Sequence, residues 1–150
     1  MKRSEINKAL RELEALCEKY HCYLPPFCHF PPEQWENIGH EYDEVRDCML
    51  GWDITDYGHG DYEKIGLFLF TIRNGSLSEP DCKKTYAEKL LISDEDQVAP
   101  MHFHWNKMED IINRSGTYDL TAVDTGSRAN VYNMIGCTHS ILIVFHDQKC

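Results

Sequence analysis

The apolar residues of this chain change their spacing once, near residue 64, and that change limits the fold more than any other feature. Before it, Ile6, Leu10, Leu13, Leu16, Cys17 and Tyr20 recur at three- and four-residue steps. That spacing predicts an amphipathic helix over 5–20, with Ser4 as its N-cap. "YLPPFCHFPPEQW" reads as an extended, proline-punctuated crossing. Pro31 and Pro32 can then open a second helix that buries Trp35, Ile38, Tyr42, Val45 and Met49. "LGWDITDYGHGDYEK" is rich in Gly and Asp and reads as a loop. After it the period drops to two. "KIGLFLFTIRNG" predicts a strand ending in an Asn-Gly turn. "TYAEKLLI" and "QVAPMHFHW" predict two more strands, joined by a solvated hairpin turn in "SDEDQ", and "SILIVFH" predicts another. Two helices followed by short strands imply a mainly β fold, a sandwich or barrel with a helical cap. At 150 residues the chain fits a single domain, with 1–50 as the helical extension and 51–150 as the β unit.

Charge and cysteine usage narrow the function. A net charge of -10 repels phosphate backbones and anionic headgroups, so neither nucleic acid nor a membrane surface is expected as a partner. A neutral ligand or a divalent cation is easier to accommodate. "MKRSEINKALRELEAL" carries charges every few residues and does not read as a signal peptide. No window approaches the ~18 apolar residues of a membrane span. The expected location is the cytoplasm. Seven cysteines, an odd number without a C-x-x-C, are then expected as reduced thiols. The irregular spacing of Cys17, Cys22 and Cys28 argues against a zinc knuckle.

The chemistry concentrates in "PMHFHWNKMEDIINRSG", residues 100–116. On a strand, His102 and His104 point the same way, about 7 Å apart along the chain. Met101, Phe103 and Trp105 then point the other way, into packing. Glu109 follows a tight connection that can return a carboxylate toward the pair. Two neutral imidazoles and a carboxylate suit Mn, Fe, Ni or Zn and leave coordination positions for a substrate. An H-x-H pair by itself also occurs on ordinary edge strands.

The longer string resembles the first metal motif of the cupin superfamily, from His102 through Gly116, with Asp96 where that motif opens on glycine. With its flanks the resemblance sharpens. "MKRSEIN", "LPPF", "NIGHEYDEVRDCMLGWDITDYGHGDYEKIGLFLFTIRNG", "YAEKLLI" and "QVAPMHFHWNKMEDIINR" together resemble bacterial D-lyxose isomerases over residues 1 to about 116. The resemblance implies a cupin-type β-barrel, complete or incomplete, behind an amino-terminal α-helical extension. It implies a bound Mn2+, a pentose substrate, interconversion of D-lyxose and D-xylulose through an enediol, and a homodimer. His102, His104 and Glu109 fall on metal-ligand positions, and Lys89 on an active-site lysine. A hairpin at 93–97 would turn Lys89 toward the cavity of the histidines; a solvent-facing lysine is the plain alternative. Lys89 can donate to a substrate oxygen or act as a base, and both roles stay open.

Past Gly116 the resemblance is expected to stop, either because the isomerase is truncated or frame-altered there or because a compact variant closes with other strands. The nearest approach to a second cupin motif is Gly136-Cys137-Thr138-His139, which lacks the proline. His139 is therefore a weak candidate for a fourth ligand, with His146 next to test, and little or no conversion is expected from this 150-residue form. The competing classes are a non-catalytic metal- or sugar-binding cupin and an inactive fragment.

Overall fold

The computed structural model describes residues 1–75, 84–103, 108–124, 130–136, 138 and 140–147. Helix α1 spans Arg3–Lys19. It starts two residues earlier than the Ser4 cap implies, because the Glu5 carboxylate accepts the Lys2 backbone N–H at 2.6 Å. Ala9, Leu13 and Cys17, four residues apart, form its buried line. The expected second helix is broken. Pro31 caps a single turn, α2 (Pro32–Trp35). A 3-10 turn at His40–Tyr42 and α3 (Asp43–Asp47) follow. Aromatic packing holds this segment, with Phe30, Trp35 and Tyr42 in mutual ring contact.

Eight strands follow among the described residues: β1 (Gly51–Thr55), β2 (Leu67–Arg73), β3 (Tyr86–Ser93), β4 (Val98–Phe103), β5 (Met108–Ser115), β6 (Tyr118–Asp124), β7 (Asn130–Gly136) and β8 (Ser140–Asp147). They form a five-stranded sheet, β1-β2-β3-β8-β5, and a three-stranded sheet, β4-β7-β6. Every named pairing is antiparallel. The mainly β expectation and the helical extension hold. The described strands make two ladders and not one closed ring.

The run "LFLF" in β2 lacks polar alternation because both of its faces are covered. Phe68 and Phe70 lie under α1 in a cluster with Ala9, Leu13, Cys17, Leu90, Ile92 and Ile141. Each buried Phe contributes on the order of 2–3 kcal/mol by area. Trp52 of β1 packs edge-on against both rings at 5.1 and 4.7 Å. The opposite face of the sheet meets the second sheet through Leu91, Ile111 and Leu142 against Ala99 and Tyr118.

Three sequence expectations are corrected here. Part of the expected loop at 50–64 is strand β1, paired in register with β2. Asn74-Gly75 is not a two-residue hairpin turn: β3 begins only at Tyr86, and the Asn74 amide donates to the Cys48 carbonyl at 3.0 Å. The stretch at 93–97 is not a hairpin but a crossover between the sheets. Gln97, 1% exposed, anchors it by donating to the Tyr62 carbonyl at 2.6 Å and accepting from the Asp94 N–H at 3.1 Å. Beside it the Val98 N–H donates to the Lys64 carbonyl and the Gly66 N–H to the Val98 carbonyl, which stitches β4 to the entry of β2. A side chain at Gly66 would meet the Tyr62 carbonyl and the Gln97 amide at under 3 Å. Cys17, Cys22 and Cys28 are free thiols as expected, but Cys48 is disulfide-bonded.

Candidate active site

The register of the five-stranded sheet fixes which residues share its inner face. Leu91 and Leu142, opposite each other, both pack toward the second sheet. By alternation Ala87, Lys89 and Leu91 of β3, Leu142 and Val144 of β8, and Glu109 and Ile111 of β5 share that face. Lys89 sits in one row with Thr71, Val144 and Ile111. Glu109 sits in the next row, aligned with position 146 of β8 and Ala87 of β3. Lys89 and Glu109 are thus one strand apart laterally, two spacings of about 4.8 Å, and one step apart along the sheet. Both are half-buried. Sheet alternation, not the expected hairpin, sets Lys89 on the face turned toward the second sheet.

His102 lies on β4, in the facing sheet, and reaches its orientation through a bulge. The β4–β7 register slips between Ala99 and His102. Without the slip Ala99 and Met101 would share a face. Instead Ala99 is buried, Met101 is 52% exposed and His102 is half-buried. The extra residue resets the alternation and returns His102 to the Ala99 side. Met101 therefore does not point into packing, contrary to the sequence expectation. The His102 Nδ1 lies 2.9 Å from the Pro100 carbonyl. A carbonyl only accepts, so Nδ1 carries a proton; in the neutral ring the lone pair is then on Nε2. This is the tautomer that a metal-ligating histidine adopts when its other nitrogen donates to backbone.

His104 and the His139 candidate lie outside the described residues. Among the described residues, no group of three His, Cys, Asp or Glu side chains is placed to hold a metal ion. The structure thus brings Lys89 and Glu109 onto one face and sets the His102 Nδ1 against the Pro100 carbonyl. An open cleft of about 760 Å³ lies elsewhere, between α1 and the 56–63 segment, lined by Glu5, Glu12, Asp56, Asp61 and Glu63 among others. It contains none of the candidate residues.

Sequence reasoning passed over Thr71, 5% exposed and directly opposite Lys89. A lone hydroxyl in the apolar run "LFLFTIR" was the signal that could have found it.

Two facing antiparallel sheets behind a helical extension, with lysine and carboxylate on an inner face, define a cupin-like β protein. The chain belongs to the D-lyxose isomerase family: the family model of that description matches residues 1–131. The family model's match runs past Gly116, through β6 to the start of β7, whereas the alignments to individual relatives cover 117 residues, the length expected of a resemblance that stops near Gly116. Two relatives are named D-lyxose/D-mannose isomerase, from Serratia proteamaculans and Escherichia coli O157:H7, each 46% identical over 117 residues. The matched region is 77% of this chain in both cases, and 51% and 52% of the relatives. The chain spans about half the length of the curated relatives it matches.

Proposed function

We propose that the chain carries a metal-dependent aldose–ketose isomerase site acting on D-lyxose, with D-xylulose as product. The observation that carries this reading is the shared inner face of Lys89 and Glu109 opposite a strand whose His102 holds its Nδ1 against the Pro100 carbonyl. His102, His104 and Glu109 would hold a divalent transition ion, Mn2+ first. Such an ion supplies Lewis-acid stabilisation of the negative charge that develops on two adjacent sugar oxygens.

The protein's own residues do the rest. Moving an aldose to a ketose transfers one proton between neighbouring carbons, through an enediol. Lys89, rising from β3 beside Thr71, is the group that donates to a substrate oxygen or takes the carbon-bound proton. Glu109 is committed to the ion and is a poor base. Leu91, Leu142, Val144 and Ile111 flank the polar pair, keep water away and strengthen its electrostatics. A homodimer in the cytoplasm completes the reading.

A second reading is a binding module that holds metal or sugar without turnover. It is favoured by the sequence around Gly136–His139, which departs from a second cupin motif. One experiment separates the two. The purified chain loaded with Mn2+ is assayed for conversion of D-lyxose. Little or no conversion is expected from the 150-residue form; with residues 117–150 replaced by a family-type second half, the isomerase reading expects conversion that Lys89→Ala abolishes while metal content stays unchanged. Full metal occupancy with no conversion in either form supports the binding module instead.

A further inference from the structure

The C-terminus of α1 closes in a Schellman motif. His21 adopts the left-handed region at φ 56 and its N–H donates to the Glu18 carbonyl at 3.1 Å. The Cys22 N–H donates to the Cys17 carbonyl at 2.8 Å. This motif sets the side chain after the left-handed residue against the side chain five positions earlier. Here both are cysteines. Standard bond lengths around that hydrogen bond keep the two Cα atoms within about 6.7 Å of each other. That lies inside the ~4.4–6.8 Å that a disulfide spans.

Packing supports the pair. Cys17 is 2% exposed in the cluster beneath α1, and Cys22 packs half-buried against the same cluster. Cys28, on the 3-10 turn Pro26–His29, packs there too. All three are free thiols. Burial, aided by the neighbouring Cys22 and Cys28, pushes the Cys17 thiol up to about 11. Cys17 is therefore protonated near neutral pH, and the more exposed Cys22 meets a solution oxidant first.

The geometry points to Cys17 and Cys22 as a dithiol modification site that a glutathione-type disulfide oxidises to an intramolecular disulfide across the cap of α1. The Cys22 thiolate attacks one sulfur of glutathione disulfide, forms a mixed disulfide and releases one glutathione thiolate, which takes up a proton. Cys17 then loses its proton, attacks the Cys22 sulfur and releases the second glutathione. Two cysteine sulfurs are oxidised and one glutathione disulfide becomes two glutathiones. The bond forms under the helix, on the sheet face opposite Lys89 and Glu109. It stands apart from the sugar chemistry and does not depend on it.

The test treats the full chain with glutathione disulfide and glutathione at rising ratios, alkylates the remaining thiols, and digests with trypsin without reduction. Trypsin leaves Cys17 in residues 12–19 and both Cys22 and Cys28 in 20–46. The expected product is a disulfide-linked pair of these peptides, lost in Cys22→Ser and retained in Cys28→Ser. Fragmentation of the wild-type pair reads the partner directly should either variant fail to fold. A bond from Cys17 to Cys28 overturns the assignment. So does glutathione resting on Cys22 while Cys17 remains open to alkylation across the whole series.

Discussion

The two faces of the five-stranded sheet are built from the same strands and do different work. Toward α1 the side chains are Phe68, Phe70, Leu90, Ile92 and Ile141, none more than 5% exposed. Toward the second sheet, Thr71, Lys89 and Glu109 are set among Leu91, Leu142, Val144 and Ile111. Alternation along a strand assigns successive residues to opposite faces, so each strand contributes both to the core and to the candidate site. The outer face is apolar where α1 covers it. The inner face keeps polar groups that the sheet holds in fixed rows. The comparison predicts that substitutions on the two faces separate stability from chemistry.

The largest effect should come from the outer face. Phe70→Ala opens a cavity where Phe27, Trp52 and the α1 line converge. It should lower unfolding free energy by about 3–5 kcal/mol in a denaturant titration. Metal content per folded molecule should be unchanged; parallel loss would mean that the two faces are not separable. Next is the seam between the sheets. Gly66→Ala drives a methyl against the Tyr62 carbonyl and the Gln97 amide, and should cost about 1–3 kcal/mol by the same titration.

A gentler probe of the buried face is alkaline pH. Burial raises the Cys17 thiol from 9.0 to about 11, and burial raises the Tyr62 hydroxyl from 10.0 to about 12. Both groups hold their protons more tightly in the folded chain. Their contribution is complete below the unfolded values and should be lost as pH rises from about 9 to about 12. A thermal midpoint that stays flat over that window would contradict the placement of Cys17 under α1. The smallest effect on stability should come from Lys89→Ala, below about 1 kcal/mol, because Lys89 is only half-buried. In a form completed by a family-type second half, its effect on sugar conversion should be close to complete.

Much of the outer face was legible in the sequence. Three- and four-residue spacing marked α1, and apolar runs marked β2, β3 and β8, broken in β3 by Glu88 and Lys89. The inner face was harder to read, for three physical reasons. The "SDEDQ" turn has hairpin chemistry, but Gln97 is buried and ties it to Tyr62, which sends β4 into the other sheet. The face of His102 depends on a bulge, and a strict period of two cannot show one. Strand β1 is only five residues long and flanked by glycine and aspartate, so turn-forming residues hid it. Strands β6 and β7 lie in a stretch that looked unlike the family; the relatives align over 117 residues, while the family model reaches residue 131. The residues that carry the proposed chemistry were named from pattern and resemblance. The reason Lys89 faces inward came only from the register.

The central claim is that the inner face binds a divalent ion through His102, His104 and Glu109. Its most direct test is the metal content of the purified chain and of the His102→Ala/His104→Ala double variant, measured by mass spectrometry after loading with Mn2+ and desalting. The account predicts near-stoichiometric metal in the unmodified chain and almost none in the double variant, at equal folded content by circular dichroism. Equal metal in both proteins would contradict it.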